Sequence, residues 1–317
     1  MYTQTISQDL FSYCPPLTRQ PDFDAFWEKT LAAAKAVPLE AALTPYDYPS
    51  PYARVYTLTY LGADGTKVYG WYLLPAFAEQ TELPCLIHYH GLGGNRGTPA
   101  EFMQWLMLGM AVISIDCRDQ SGLTRDNARY RTGLCGNVTL RGIEDKEEYY
   151  YKNVYLDCIR ALDFACTRPE LDHTRLILEG GSQGGALTTA VSALDARPYL
   201  ALPDVPSNSN ITARVEGRNG SFGAVWDYLQ KYPDAADTVF ETLSYFDTMN
   251  MADRIRCKVF ASVGLKDTTC PALHYFATYN RIESAKEIAV YPFNGHEGGH
   301  SIHNEKKLRF VAKHINA

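Results

Sequence analysis

The segment Glu179-Gly180-Gly181-Ser182-Gln183-Gly184-Gly185 constrains the chain most, because it demands a sharp reversal between two regular elements. The apolar run Leu176-Ile177-Leu178 before it reads as a buried strand, and a helix-like stretch runs from Ala186 to Ala196 after it. Glycines two residues either side of Ser182 let neighbouring chain pack against a tight turn. A serine at the apex of such a strand–turn–helix is held in a strained conformation with its hydroxyl above the sheet. The following helix would aim its N-terminal N–H groups at negative charge developing beside the serine. Glycine-flanked serines also occur in ordinary loops, so the elbow reading rests on the strand before and the helix after.

The rest of the chain supplies the sheet such an elbow needs. Leu83–Tyr89, Met110–Ile115, Leu176–Glu179, Lys258–Val263 and Glu287–Tyr291 read as buried strands. Helical patterns separate them at Glu101–Leu108, Asp145–Cys166, Gln183–Ala196 and Pro271–Arg281, and a last one covers Lys306–Ile315. This alternation predicts parallel strands joined by right-handed crossovers. Ahead of them an amphipathic helix runs to about Val37, with Asp22 or Asp24 as its cap. Strand-like runs Val55–Leu61 and Lys67–Leu74 flank Gly62-Ala63-Asp64-Gly65, the turn chemistry of an antiparallel hairpin. Pro203–Arg254 breaks the rhythm with polar Ser207-Asn208-Ser209-Asn210 and two helices around Phe222–Lys231 and Ala235–Leu243. The expected architecture is one α/β domain over residues 1–317: a mostly parallel sheet flanked by helices, an N-terminal helix and hairpin extension, and a helical insertion at 203–254. That insertion is either a lid over the catalytic edge or passive packing.

Composition narrows the function classes. Hydrophobic content of 46% and charged content of 21% suit a globular chain, and no stretch approaches the roughly 18 consecutive apolar residues of a membrane span. A net charge of −6 without a long basic run disfavours nucleic acid and anionic lipid as partners. The first thirty residues hold Asp9, Asp22, Asp24 and Glu28 and no basic-then-apolar leader. Cysteines at 14, 85, 117, 135, 158, 166, 257 and 270 form no CxxC pair, so neither a disulfide framework nor a zinc site is expected. The expectation is a cytoplasmic enzyme.

An elbow serine needs a base to take its proton and a carboxylate to orient that base, in the chain order Ser, Asp or Glu, His. Asp267 follows the strand ending at Val263, and His296 follows the strand ending at Tyr291, so both stand at the same strand-end edge as Ser182. Asp247 and Asp253 precede their strand and read as caps or surface charges. His274 lies inside a helix, His314 is near the terminus, and His173 is on the opposite edge. His296-Glu297-Gly298-Gly299-His300 also matches H-E-x-x-H, but zinc chemistry needs both histidines on one helical face. Two adjacent glycines inside that turn, each costing about 1 kcal/mol against alanine, argue against the helix. The expected oxyanion donors are the backbone N–H of Gln183, after the nucleophile, and that of Leu92 in His90-Gly91-Leu92-Gly93-Gly94. No Lys-Ser or Lys-Thr follows that glycine loop, which disfavours a phosphate-binding reading. Arg118 reads as a residue tying loops together rather than one acting on substrate.

These motifs resemble the acetyl xylan esterase and cephalosporin-C deacetylase family, carbohydrate esterase family 7. Its Arg-Gly-Gln, Gly-x-Ser-Gln-Gly and His-Glu hallmarks correspond to Arg118-Asp119-Gln120, Gly180-Gly181-Ser182-Gln183-Gly184 and His296-Glu297. Tyr149-Tyr150-Tyr151, Thr242-Leu243-Ser244-Tyr245-Phe246-Asp247 and Gly264-Leu265-Lys266-Asp267 extend the similarity over most of the chain. The resemblance implies an α/β-hydrolase fold with Ser182 as nucleophile, Asp267 as acid and His296 as base. It implies an esterase removing acetyl groups from small acetylated carbohydrates such as xylo-oligosaccharides, and from cephalosporin C, without cofactor or metal. It further implies a cytoplasmic hexamer with active sites facing an inner cavity. Three departures stand out: Asp119 replaces a glycine, Leu92 a tyrosine, and Ser207–Asn210 a more apolar stretch. Trp105 and Pro206 are candidates to line the substrate pocket, with core positions as the alternative. A serine peptidase or dienelactone-type hydrolase, or a non-catalytic binding protein on this fold, are the competing readings.

Overall fold

Strands that are apolar on both faces must be covered on both, and in this chain they pair side by side beneath helices. The computed structural model describes residues 9–77, 82–134 and 136–315; Cys135 lies outside them. The strands are β1 (Ala42–Tyr46), β2 (Ala53–Leu61), β3 (Lys67–Pro75), β4 (Leu83–Tyr89), β5 (Ala111–Ile115), β6 (Leu171–Gly181), β7 (Pro198–Asp204), β8 (Lys258–Gly264) and β9 (Lys286–Tyr291). They form one nine-stranded sheet in the order β1-β2-β3-β5-β4-β6-β7-β8-β9. Pairing is antiparallel from β1 through β3 to β5 and parallel from β5 through β4 to β9. The parallel part of the sheet is what the alternating pattern predicts, and the whole is the α/β-hydrolase architecture that the family resemblance implies.

The helices are α1 (Phe23–Lys35), α2 (Met103–Met107), α3 (Tyr150–Cys166), α4 (Gln183–Leu194), α5 (Ile211–Glu216), α6 (Gly223–Lys231), α7 (Ala236–Ser244), α8 (Ala272–Tyr279) and α9 (His300–Ile315). One core joins α1, α3, α4 and α8 to one sheet face, through Trp27, Tyr155, Leu187 and Phe276 among others. A smaller core on the opposite face gathers Phe102, Trp105, Leu106, Phe310 and Val311 from α2, its lead-in turn and α9.

Several boundaries differ from the sequence expectations. β1 is an exposed edge strand containing Pro45, and β7 is bracketed by Pro198 and Pro203; in both, proline hides the strand signal. α3 starts at Tyr150 because residues 145–149 form turns, with Glu148 N–H bonding the Asp145 carbonyl at 2.9 Å. Asp22 precedes α1 without capping it; its carboxylate accepts from Lys146 Nζ at 2.6 Å and from the Tyr245 hydroxyl. The Gly62–Gly65 turn is as expected: Gly65, at φ +78°, donates its N–H to the Gly62 carbonyl at 3.0 Å.

Polar Ser207-Asn208-Ser209-Asn210 is a buried turn rather than a surface loop. Asn208 and Asn210 take left-handed backbone at φ +48° and +50°, a region that asparagine enters more readily than most residues. Their amides donate to the hydroxyls of Tyr155 at 3.2 Å and Tyr13 at 3.0 Å, so the burial is compensated. Asp247, expected as a cap or surface charge, is a cap: it is 1% exposed and stands at the N-terminus of the short turn Thr248–Asn250. Its carboxylate accepts the backbone N–H groups of Asn210, Ile211 and Met249 at 2.9, 2.6 and 2.9 Å, pinning this turn and the start of α5.

Candidate active site

Parallel register carries the ends of β4, β6, β7, β8 and β9 to one edge: Tyr89 pairs with Gly180, Gly181 with Asp204, Asp204 with Ser262, and Gly264 with Tyr291. At the end of β6 the chain turns through Ser182 at φ +59°, ψ −117°, and enters α4. Such backbone is costly for a side-chain-bearing residue and persists only where the surroundings over-determine it. Ser182 N–H bonds the Asp204 carbonyl at 2.9 Å, and Ser207 N–H bonds the Ser182 carbonyl at 3.0 Å. A Cβ on Gly180 or Gly184 would lie 2.4 or 1.9 Å from the Tyr89 carbonyl oxygen, so both positions require glycine for close approach to β4.

Ser182 opens onto a cavity of about 620 Å³, shared with Gly91, Leu92, Gln183, Cys270 and His296. Asp267, in the loop after β8, is oriented by the backbone N–H groups of Thr269 and Cys270, each 2.8 Å from Oδ1. Its Oδ2 lies 2.8 Å from Nδ1 of His296. Burial pushes the Asp267 carboxyl up, but hydrogen bonds from His296 and the Cys270 N–H outweigh it and leave it below the usual carboxylate range. Hydrogen bonding to Asp267 first, and to the Cys270 thiol second, raises His296 above the ordinary imidazole value. Glu297 steadies the turn bearing His296: Oε1 accepts from Asn294 Nδ2 at 2.9 Å and Oε2 from Gly295 N–H at 3.0 Å.

The H-E-x-x-H reading fails on geometry. Gly298 and Gly299 sit at φ +55° and +94°, and α9 begins only at His300, so the two imidazoles do not share a helical face.

The glycine loop after β4 runs beside Ser182, a Cβ on Gly91 falling 3.9 Å from the Ser182 Cβ. Gln120 couples this loop to the elbow. Its Oε1 accepts from Gly93 N–H at 2.7 Å, and its Nε2 donates to Gln183 Oε1 and the Tyr150 hydroxyl, both at 3.0 Å. Tyr151 donates its hydroxyl to Gln183 Oε1 at 3.1 Å. Arg118, fully buried, donates to Asp157 through Nε and Nη2 at 2.8 Å each, to Asp64 at 2.7 Å and to Asp126 at 3.0 Å. It thus ties the β2–β3 hairpin to α3 below the loop that carries Gln120. Asp119 sits in left-handed backbone at φ +50°, where glycine is the unstrained choice; Arg141 Nη1 at 2.8 Å and Asp126 N–H at 3.2 Å hold its carboxylate.

Trp105 and Pro206, the candidates to line the substrate pocket, are not among the residues lining this cavity. Trp105, 2% exposed, packs in the smaller core with Phe102 and Leu106. Pro206 is buried against Gly185, between Val205 and Ser207, which do line the cavity. Sequence reasoning also missed the charged floor. Glu179 and Asp204 line the cavity, and Lys307 from α9 reaches both at 2.6 Å. His88 Nδ1 lies 2.5 Å from Glu179, and His303 Nε2 lies 2.7 Å from Asp204. Burial pushes both carboxyls up, but Lys307 and these histidines outweigh it and hold them low. The signal was present in a charged residue, Glu179, directly after the apolar run Leu176-Ile177-Leu178 of β6.

A profile of the acetyl xylan esterase (AXE1) family matches residues 4–314. The chain is 28% identical over 293 residues to the acetyl esterase Axe7A of Xylanibacter ruminicola, which covers 89% of the chain and 64% of that protein's length. An acetyl xylan esterase structure from Paenibacillus sp. R4 superposes with a TM-score of 0.92 at 44% identity, covering 96% of this chain and 98% of that one. Acetyl xylan esterase 1 from Thermoanaerobacterium sp. JW/SL YS485 gives 0.91 at 28% identity, with the same coverage. The chain belongs to the acetyl xylan esterase family.

Proposed function

We propose that this protein is a serine esterase that removes acetyl groups from small acetylated carbohydrates, xylo-oligosaccharides first and cephalosporin C as a second acetyl ester. The observation that carries this reading is the opening of Ser182 and the Asp267-paired His296 into one cavity in a chain of this family. His296 takes the proton of Ser182 Oγ as that oxygen attacks the acetyl carbonyl. Asp267 holds the imidazole and stabilises its cation. The backbone N–H groups of Leu92 and Gln183 stabilise the tetrahedral oxyanion, each worth roughly 3 kcal/mol. Protonated His296 gives its proton to the departing sugar oxygen, and water repeats the sequence to release acetate. The mechanism calls on no metal or cofactor.

We further propose a cytoplasmic hexamer, a reading supported by family resemblance alone and tested by light scattering on the purified chain. Acetate release from acetylated xylo-oligosaccharides and peracetylated glucose tests the activity. It should be rapid, resistant to a chelator and lost in Ser182→Ala. A folded wild-type protein that releases no acetate would overturn the reading.

A further inference from the structure

The Cys270 thiol has no part in the mechanism above, yet it stands beside Asp267 and His296 of the proposed triad. Its Sγ, an Asp267 carboxylate oxygen and a His296 ring nitrogen lie within 4.8 Å of one another. Cys270 is 4% exposed and lines the cavity that holds Ser182. The sulfur is further fixed by Arg214, whose Nη2 lies 3.5 Å from it and 2.9 Å from the Thr269 carbonyl. A thiol, an imidazole and a carboxylate converge here from two loops, after β8 and after β9, with the carboxylate already oriented by two backbone N–H groups.

We propose that Asp267, Cys270 and His296 form an inhibitory zinc site, with the fourth coordination position open to the catalytic cavity. The donor set is one zinc favours, and three protein ligands plus an open position is a common arrangement for this ion. Its bonds to sulfur, nitrogen and oxygen are about 2.3, 2.0 and 2.1 Å, which places tetrahedral neighbours about 3.3–3.6 Å apart. The 2.8 Å contact between His296 and Asp267 must therefore open slightly, which a loop-borne pair allows. On binding, the Cys270 sulfur gives its proton to solvent, and the imidazole commits to the metal a ring nitrogen it needs for proton transfer or for its bond to Asp267. Either loss disables the base, so zinc occupancy and serine catalysis exclude each other. The nearby Arg214 cation opposes the incoming ion, which sets the site apart from a resident structural zinc and makes occupancy reversible.

The inhibitory consequence rests on the esterase reading, but metal binding does not, so two readouts are needed. Zinc titrated into the full chain should suppress acetate release reversibly, with a chelator restoring it. Cys270→Ser should raise the half-inhibiting zinc concentration at least about tenfold, each protein being compared with its own zinc-free rate. Cobalt(II) added to wild type or Ser182→Ala should give thiolate-to-metal charge-transfer absorption that zinc displaces and Cys270→Ser lacks. Cys270→Ala, with its fold checked by thermal unfolding, serves as the second replacement. Equal zinc sensitivity in wild type and both cysteine variants, or no thiolate–cobalt absorption in wild type, overturns the site. Loss of the esterase activity alone, with the cobalt signal intact, counts against the esterase reading and leaves the metal site standing.

Discussion

At the scale of single residues, the site depends on which groups act through side chains and which through backbone. His296 is held above its ordinary pKa of 6.5 by hydrogen bonding, chiefly from Asp267. As the proposed base, His296 must be neutral to accept the Ser182 proton, so the proposal predicts that kcat/KM rises with pH along a limb centred above 6.5. Asp267→Asn removes the main cause of the shift, so the limb should move down in pH while kcat falls on the order of 10³–10⁴-fold. A limb that stays in place in Asp267→Asn would separate this carboxylate from the base. Leu92 makes the complementary case: it is 41% exposed, and its proposed contribution is a backbone N–H. Leu92→Ala should keep kcat within a few-fold, whereas Leu92→Pro, which lacks the donor, should lose about 10²–10³-fold in kcat. Steady-state acetate release by folded variants decides between them, and equal losses in both would place the effect in the side chain.

At the scale of elements, the site is an arrangement of loops pinned by buried polar ties. Arg118 holds Asp64 on the hairpin, Asp126 on a loop and Asp157 on α3. Arg118→Met would leave the buried Asp157 carboxylate without its cation and Asp126 with only the longer Arg141 contact at 3.6 Å, so unfolding should become easier by about 3–5 kcal/mol. Denaturant unfolding measures this, and a change below about 1 kcal/mol would show that the carboxylates find other partners. These ties also explain what was legible in the sequence. Strands β4, β5 and β8 were readable because their apolar runs are buried on both faces, and Ser182, Asp267 and His296 because each stands just beyond a strand. Strands β1 and β7 were not readable, since proline masks them. Nor were the couplings of Gln120 with Gly93 and Gln183, or of Cys270 with His296, which depend on how separate loops meet across the sheet edge. Trp105 reads equally well as pocket or core from sequence, and packing against Phe102 and Leu106 places it in the core.

At the scale of the whole molecule, the parallel sheet brings every proposed catalytic group to one edge, while α9 secures that edge from outside. Lys307 and His303 on α9 bind Asp204 and Glu179 beneath the cavity, and Phe310, Val311 and Ile315 anchor the same helix in the smaller core. The charged floor and the loops that bear Asp267 and His296 thus belong to one framework, so a substrate entering the cavity would meet groups that are already positioned. The central claim is that Ser182 carries the acetyl group between the two half-reactions. It is tested most directly by rapid acid quenching during turnover of an activated acetyl ester, followed by peptide mass spectrometry. The account predicts a transient acetyl adduct on the Ser182 peptide, absent in Ser182→Ala and longer-lived when His296 is replaced. An adduct on Cys270 instead, or turnover with no adduct on Ser182 at any quench time, would contradict it.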